Sequence, residues 1–96
     1  MKSIRFSWDE QKNRTNQKKH RISFDEAQTV FFDENAIEYF DPGHSVDEDR
    51  FLMLGIGFRL RVLVVSYSLR QRGSEIRIIS ARKATKKEQK VYFGGK

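Results

Sequence analysis

One histidine beside two lysines, three well-placed arginines, a late tyrosine and no cysteine confine this chain's chemistry to proton transfer and the handling of anions. His20 directly follows Lys18 and Lys19, and an imidazole exchanges protons near neutral pH. Arg61 opens the most apolar stretch, Arg77 lies inside a second such stretch, and Arg82 stands just past it. A guanidinium stays charged and presents a planar fork of donors that matches phosphate oxygens. By strand alternation Arg61 shares a face with Leu63, Val65 and Tyr67, and Arg77 with Ile79 and Ala81. An arginine planted in an apolar strand costs desolvation unless it is paired. The partner is either a carboxylate, such as Glu48 or Glu38, or a phosphate.

Each of these residues has a plainer role open to it. His20 also fits a helix-end histidine favoured by the helix dipole. Tyr92 can donate a proton or stack on a base, and it can equally anchor the last helix. Lys83, Lys86, Lys87 and Lys90 attract a polyanion without taking part in chemistry, an attraction that weakens with salt. His44, with Asp41, Asp47 and Asp49, lies in a charged loop, where carboxylates are solvated rather than metal-bound. No metal and no cofactor is expected. The chain has no Walker loop, GxGxxG, HExxH or nucleophile elbow, which argues against nucleotide-fuelled and zinc-hydrolase chemistry.

Charge is segregated along the chain. Residues 1–24 carry seven Lys/Arg and two Asp/Glu, residues 25–58 one Arg and nine Asp/Glu, and residues 59–96 eleven Lys/Arg and two Asp/Glu. Two basic ends therefore flank an acidic then apolar middle, with a net charge of +6. Such a dipolar chain can present a basic surface to nucleic acid. Ninety-six residues support one core, so a single domain over 1–96 is expected. The absence of cysteine fits a reducing compartment. No apolar run approaches a membrane span or a signal peptide, so the expectation is a cytoplasmic protein without membrane contact. The tail Gly94-Gly95-Lys96 reads as a loose end.

Three capping-box patterns mark helix starts: Ser7 to Glu10, Ser23 to Glu26 and Thr85 to Glu88. They predict helices over residues 9–19, 24–32 and 86–93. Alternating or continuous apolar runs predict strands over 4–8, 36–41, 50–57, 60–68 and 75–81. The short links between the last four favour antiparallel hairpins. The expected architecture is α+β, in the order β-α-α-β-β-β-β-α, with helices on a small antiparallel sheet. The first helix is anomalous, because residues 9–19 include no large apolar side chain. Capping, Trp8 and polar contacts must hold it. Asp9, Lys12, Asn16, Lys19 and His20 fall on one face, which either lines a site or is simply solvated.

The order of residues resembles the BrnT family of toxins. The resemblance rests on Trp8-Asp9, Lys12, Asn16 and Lys19-His20, followed by Ser23-Phe24, Glu26 and Ala27. Asp41, His44-Ser45, Glu48 and Arg50 continue it, and the run Arg77 to Arg82, then Glu88 and Tyr92, completes it. It implies a compact RelE-like fold and a type II toxin that cleaves RNA without a metal and halts translation. It implies neutralisation by a BrnA-like ribbon-helix-helix antitoxin in a 2:2 complex, through which alone promoter DNA is bound. In that setting Arg61, Arg82, Arg77, His20 and Tyr92 are the candidate catalytic residues. The cleavage needs the 2′-OH deprotonated, the phosphoryl oxygens stabilised and the leaving 5′ oxygen protonated. Lys12, Lys19, Lys83 and Lys86 are the candidate RNA contacts. The competing class is a non-catalytic nucleic-acid-binding module. Such a module would want aromatics exposed among basic residues, whereas Phe31, Phe32 and Phe51 sit in apolar contexts.

Overall fold

The computed structural model describes residues 3–94, so the end at Gly95 and Lys96 lies outside the described residues. The chain runs β1 (Arg5–Ser7), α1 (Glu10–His20), α2 (Phe24–Thr29), β2 (Ile37–Phe40), β3 (Arg50–Ile56), β4 (Val62–Arg70), β5 (Glu75–Lys83) and α3 (Lys86–Tyr92). The α+β order is the one the sequence predicts. Where a helix over 24–32 was expected, α2 stops at Thr29 and a 3-10 turn, Val30–Phe32, follows.

The five strands lie in the order β1-β5-β4-β3-β2. Strands β2 to β5 are antiparallel neighbours, as their short connections require. β1 departs from the expectation, because it pairs parallel to β5, with Arg5 opposite Glu75 and Ser7 opposite Arg77. The sheet is therefore mixed. No turn links β1 to β5, so nothing local in the sequence reports their direction.

Two cores sit on opposite faces. On the first face Ile22, Phe24, Ala27 and Val30 pack against Leu63, Val65, Tyr67, Ile78 and Ala81. Phe31 meets Tyr67 edge to face at 4.8 Å, and Trp8 meets Phe24 at 6.0 Å. Burying each large side chain here contributes about 1.5–3 kcal/mol. On the second face Leu54, Val62 and Val64 pack with Ala84, and Tyr92 of α3 closes over them. α3 covers one end of that face only. Gly55 is required where the 3-10 turn crosses β3, since a Cβ there would lie 2.9 Å from Val30 Cγ1.

Of the three expected capping boxes one closes in full and one by half, since the Glu26 side chain turns to Arg61 instead. Ser23 accepts from the Glu26 N–H, and Thr85 with Glu88 completes a reciprocal capping box. The first differs: Asp9, not Ser7, caps α1, accepting from the Gln11 and Lys12 N–H groups. Ser7 is in β1, and its hydroxyl donates to Glu75 at 2.5 Å.

The polar helix α1 is held by two buried asparagines. The Asn13 Oδ1 accepts from the Phe24 N–H at 2.9 Å. Asn16 pairs with Ala81 as a neighbouring strand would, donating to its carbonyl at 2.9 Å and accepting from its N–H at 3.0 Å. A third bond runs from Asn16 to the Ile22 carbonyl at 2.8 Å. Asn16→Ala would leave three buried backbone groups unpaired, and each such group costs about 1–3 kcal/mol. We expect a loss of about 3 kcal/mol or more in urea unfolding, against less than about 0.5 kcal/mol for the exposed Lys12→Ala. Equal losses in the two variants would refute this account of α1.

Candidate functional site

Strand register places a row of polar side chains on the part of the second face that α3 leaves open. Since Leu63, Val65 and Tyr67 face the first core, Val64, Ser66 and Ser68 of β4 point the other way. Their partners across the ladders are Arg82, Ser80 and Arg77 of β5, and Arg50 of β3 opposite Ser68. The sequence places Arg77 with Ile79 and Ala81; the structure corrects this. Ser66 pairs with Ser80 and Tyr67 with Ile78, so Ile79 is an extra residue, a β-bulge. Before the bulge Ile76 and Ile78 point to the core; after it Ala81 does. Arg77 and Arg82, an odd number of residues apart, thereby come to the same open face.

Beside the bulge, α1 and β5 enclose an open groove of about 250 Å³ lined by Lys12, Asn16, Lys19, His20, Ile79 and Ser80. The stripe expected on α1 is thus split by role. Asn16 is the buried anchor, while Lys12, Lys19 and the half-buried His20 border the groove. Arg21, in the left-handed conformation at φ 62°, ends α1 immediately after His20. The two basic ends of the sequence meet along this edge of β5. Lys83 and Lys86 stand exposed at the end of β5 and the start of α3.

The arginines differ in what they hold. Arg82 donates to both Glu88 oxygens, at 2.8 and 2.9 Å, and to the Lys83 carbonyl at 3.3 Å. Of its five N–H donors two remain. The Arg82 hydrogen bonds, aided by the Thr85 N–H and opposed by burial, hold the Glu88 carboxyl down to about 2. Ion pairs among the described residues take up Arg5, Arg50, Arg61, Arg70 and Arg82, and Arg77 is in none of them. Arg61 does meet a carboxylate, but neither Glu48 nor Glu38. Its Nε and Nη2 donate to Glu26 at 2.8 and 2.7 Å, and Nη2 donates to the Arg21 carbonyl at 2.9 Å. Glu26 is 1 % exposed. Its hydrogen bonds raise the Arg61 guanidinium above its ordinary value despite the opposing cost of burial.

Tyr92, one helical turn beyond Glu88, is directed away from β5. Its hydroxyl donates to Asp33, and burial, followed by that bond, pushes the phenol up to about 12. Asp33 also accepts from the Ile56 N–H at 2.9 Å, so Tyr92 pins α3 to the end of β3. His44 lies 3.0 Å from Asp41, and Ser45 donates to the Asp41 carbonyl and accepts from the Arg50 N–H, a self-contained loop. Among the described residues no group of three or more His, Cys, Asp or Glu side chains is placed to hold a metal ion. Ser66, Ser68 and Ser80 were not singled out from the sequence. Alternation along β4 was the available signal, since its inward Leu63, Val65 and Tyr67 leave the serines outward.

Two expectations follow. Arg61→Ala strands a buried carboxylate and should cost about 3 kcal/mol in urea unfolding, because breaking one side of a buried pair is far costlier than losing a surface bridge. A variant of wild-type stability would refute this role of the Arg61–Glu26 pair. Glu88 has its folded pKa depressed, from 4.5 to about 2. Its contribution to stability is therefore complete above about 4.5 and is lost as pH falls towards about 2. Unfolding of wild type and Glu88→Gln across that range should show the gap between them closing on acidification; a constant gap would contradict it.

A family profile described as "Ribonuclease toxin, BrnT, of type II toxin-antitoxin system" matches residues 8–88. Among solved structures, the ribonuclease toxin BrnT of Brucella abortus aligns with a TM-score of 0.64 at 23 % sequence identity, over 88 % of this chain and 100 % of that one. At that identity the likeness concerns the fold. No curated protein matches. With the profile spanning all but the ends, the chain belongs to the BrnT family of ribonuclease toxins of type II toxin–antitoxin systems.

Proposed function

We propose that the protein acts, as one domain over residues 1–96, as a metal-independent endoribonuclease toxin that cleaves RNA in the cytoplasm and so inhibits translation. A BrnA-like ribbon-helix-helix antitoxin neutralises it in a 2:2 complex, and promoter DNA is contacted only through that antitoxin. The observation that carries the catalytic reading is the bulge at Ile79. It turns Arg77 and Arg82 to one open face, next to the groove that His20 borders.

His20 is the proton-transfer group. It sits at the end of a helix fixed to β5 by Asn16, so its position relative to Ser80 is set by packing rather than by a mobile loop. Arg82 is the main electrostatic group. Glu88 orients its fork, and the two remaining donors are free for phosphoryl oxygens as charge builds there. Arg77 extends the same field along β5. Lys12, Lys19, Lys83 and Lys86 gather the polyanion and lend the binding its salt dependence. Arg61 and Tyr92 act through the fold, by way of Glu26 and Asp33.

The test is cleavage of RNA by the purified chain in excess chelator, alongside Arg82→Ala and His20→Ala. Wild type should cleave, and each variant should lose roughly 10²–10³-fold in rate while unfolding at a near-native urea concentration. Wild-type rates in both variants would overturn the assignment. Intact RNA that is nevertheless bound by all three proteins would instead favour a binding module.

A further inference from the structure

On the open face, below the Ser66–Ser80 pair, lies a second row. Arg50 of β3 is opposite Ser68 of β4, Ser68 is opposite Arg77 of β5, and Arg77 is opposite Ser7 of β1. Directly opposed side chains on one face have Cβ atoms about 5 Å apart, so the two guanidinium stems flank the serine. Ser68 is 0 % exposed, and its hydroxyl has no hydrogen-bond partner among the described residues. The Arg50 Nε is likewise buried and unbonded. It stands 3.5 Å from a Glu48 oxygen without hydrogen-bonding to it, and Glu48 also faces Arg70 at 3.6 Å. Ser7 is spent on Glu75, which also pairs with Arg5 at 3.4 Å. Glu48, ion-paired with Arg50, and Glu75 thus lie at the margins of the row, and the Ser68 hydroxyl and the Arg50 Nε–H at its centre make no hydrogen bond among the described residues.

Buried donors without partners are rare and costly, and a role in function, a trapped water or a bound ion is among the reasons to keep them. Here those two donors and Arg77, which is in no ion pair among the described residues, stand side by side in one row. Two donors on guanidinium arms and one hydroxyl match the non-bridging oxygens of a phosphodiester. We propose that Arg50, Ser68 and Arg77 form a phosphate-binding subsite for the backbone of single-stranded RNA, separate from the reacting phosphate at Arg82. This rests on the ribonuclease reading. Arg77 and Arg82 are roughly 15 Å apart along the strand, so the subsite holds a phosphate more than one nucleotide from the scissile one. It gives the open face a direction along which the strand runs, from Arg82 past Ser80 to Arg77.

Ser68→Ala separates this role from a structural one. Deleting a buried hydroxyl that bonds to nothing leaves stability unchanged or raises it, yet it removes a donor from the subsite. The measurement is fluorescence anisotropy with a non-cleavable 2′-O-methyl oligoribonucleotide of about eight residues, paired with thermal unfolding. Ser68→Ala should bind roughly tenfold more weakly with an unlowered Tm. Arg50→Gln should weaken binding similarly and flatten its salt dependence by roughly 0.7 in the log–log slope, the loss of one phosphate contact. Undiminished oligonucleotide affinity in both variants would overturn the subsite, as would a loss matched by a fall in Tm. The Arg50 Nε–H NMR signal, followed with inorganic phosphate and then with the oligonucleotide, distinguishes sources. A shift with the oligonucleotide at far lower concentration supports the RNA site; a shift with inorganic phosphate alone, or with neither, overturns it. Because these readouts need no turnover, an inactive wild-type chain would defeat the ribonuclease reading while leaving the subsite still tested.

Discussion

The fold of this protein depends on Asn16 behaving as a strand. β1 pairs with β5 only as far as Arg77, so beyond that point the outer edge of β5 has no strand beside it. An open edge is a template for unwanted pairing. The Asn16 amide takes the vacant position, offering Ala81 both a donor and an acceptor. The same contact explains how a helix with no large apolar residue is retained. Hydrophobic burial cannot hold α1, so buried amide–backbone bonds, paired on every side, must. The cost is low tolerance: a residue of any other length fails to reach both groups of Ala81. The consequence is geometric precision, since everything α1 carries on its exposed side is positioned relative to β5.

The bulge at Ile79 lies two residues from that anchor, and the two act together. The anchor brings His20 and its lysines to the edge; the bulge reverses the alternation of β5, so that arginines on either side of it share one face. Beyond these, the ion pairs divide the arginines into classes. Arg61 is matched to the almost fully buried Glu26 and is part of how α2 meets β4. Arg82 is matched to the half-buried Glu88 and keeps donors to spare. Each spends three of its five N–H donors, so what separates them is the burial of the carboxylate partner.

Much of the fold was legible because its signals are local. The strand and helix segments follow from apolar alternation, and Ser23 and Thr85 announce their helices within four residues. What escaped is non-local. The parallel pairing of β1 has no turn to report it. The bulge is a mismatch between two strands, invisible in either alone, and it moved Arg77 to the face opposite to the one its alternation suggests. Glu26 fits a capping box by spacing, so it could not be chosen over Glu38 or Glu48 as the partner of Arg61, distant in sequence. Tyr92 had two open roles, and its hydroxyl is held by Asp33, a residue no spacing connects to it. The site was therefore legible as a set of residue types and not as an arrangement.

The acidic middle of the chain looks at first like a counterweight to the basic ends, but among the described residues only its Glu26 and Glu48 form ion pairs with their arginines, Arg61 and Arg70. Glu26 is turned inward to Arg61, Asp33 accepts from Tyr92 and from two backbone N–H groups, and Glu38 accepts from Tyr67. Burial, with Glu38 beside it, pushes the Tyr67 phenol well above its ordinary range, so that contact stays a neutral donor to a carboxylate. Asp25, Glu34, Asp47 and Asp49 stay exposed, on connections and on α2 rather than on the open face. These carboxylates of the middle are thus either consumed in fixing the frame or lie away from β5 and α1. A net charge of +6 understates the field that a polyanion meets there, because the positive charge is concentrated where the two ends of the sequence converge.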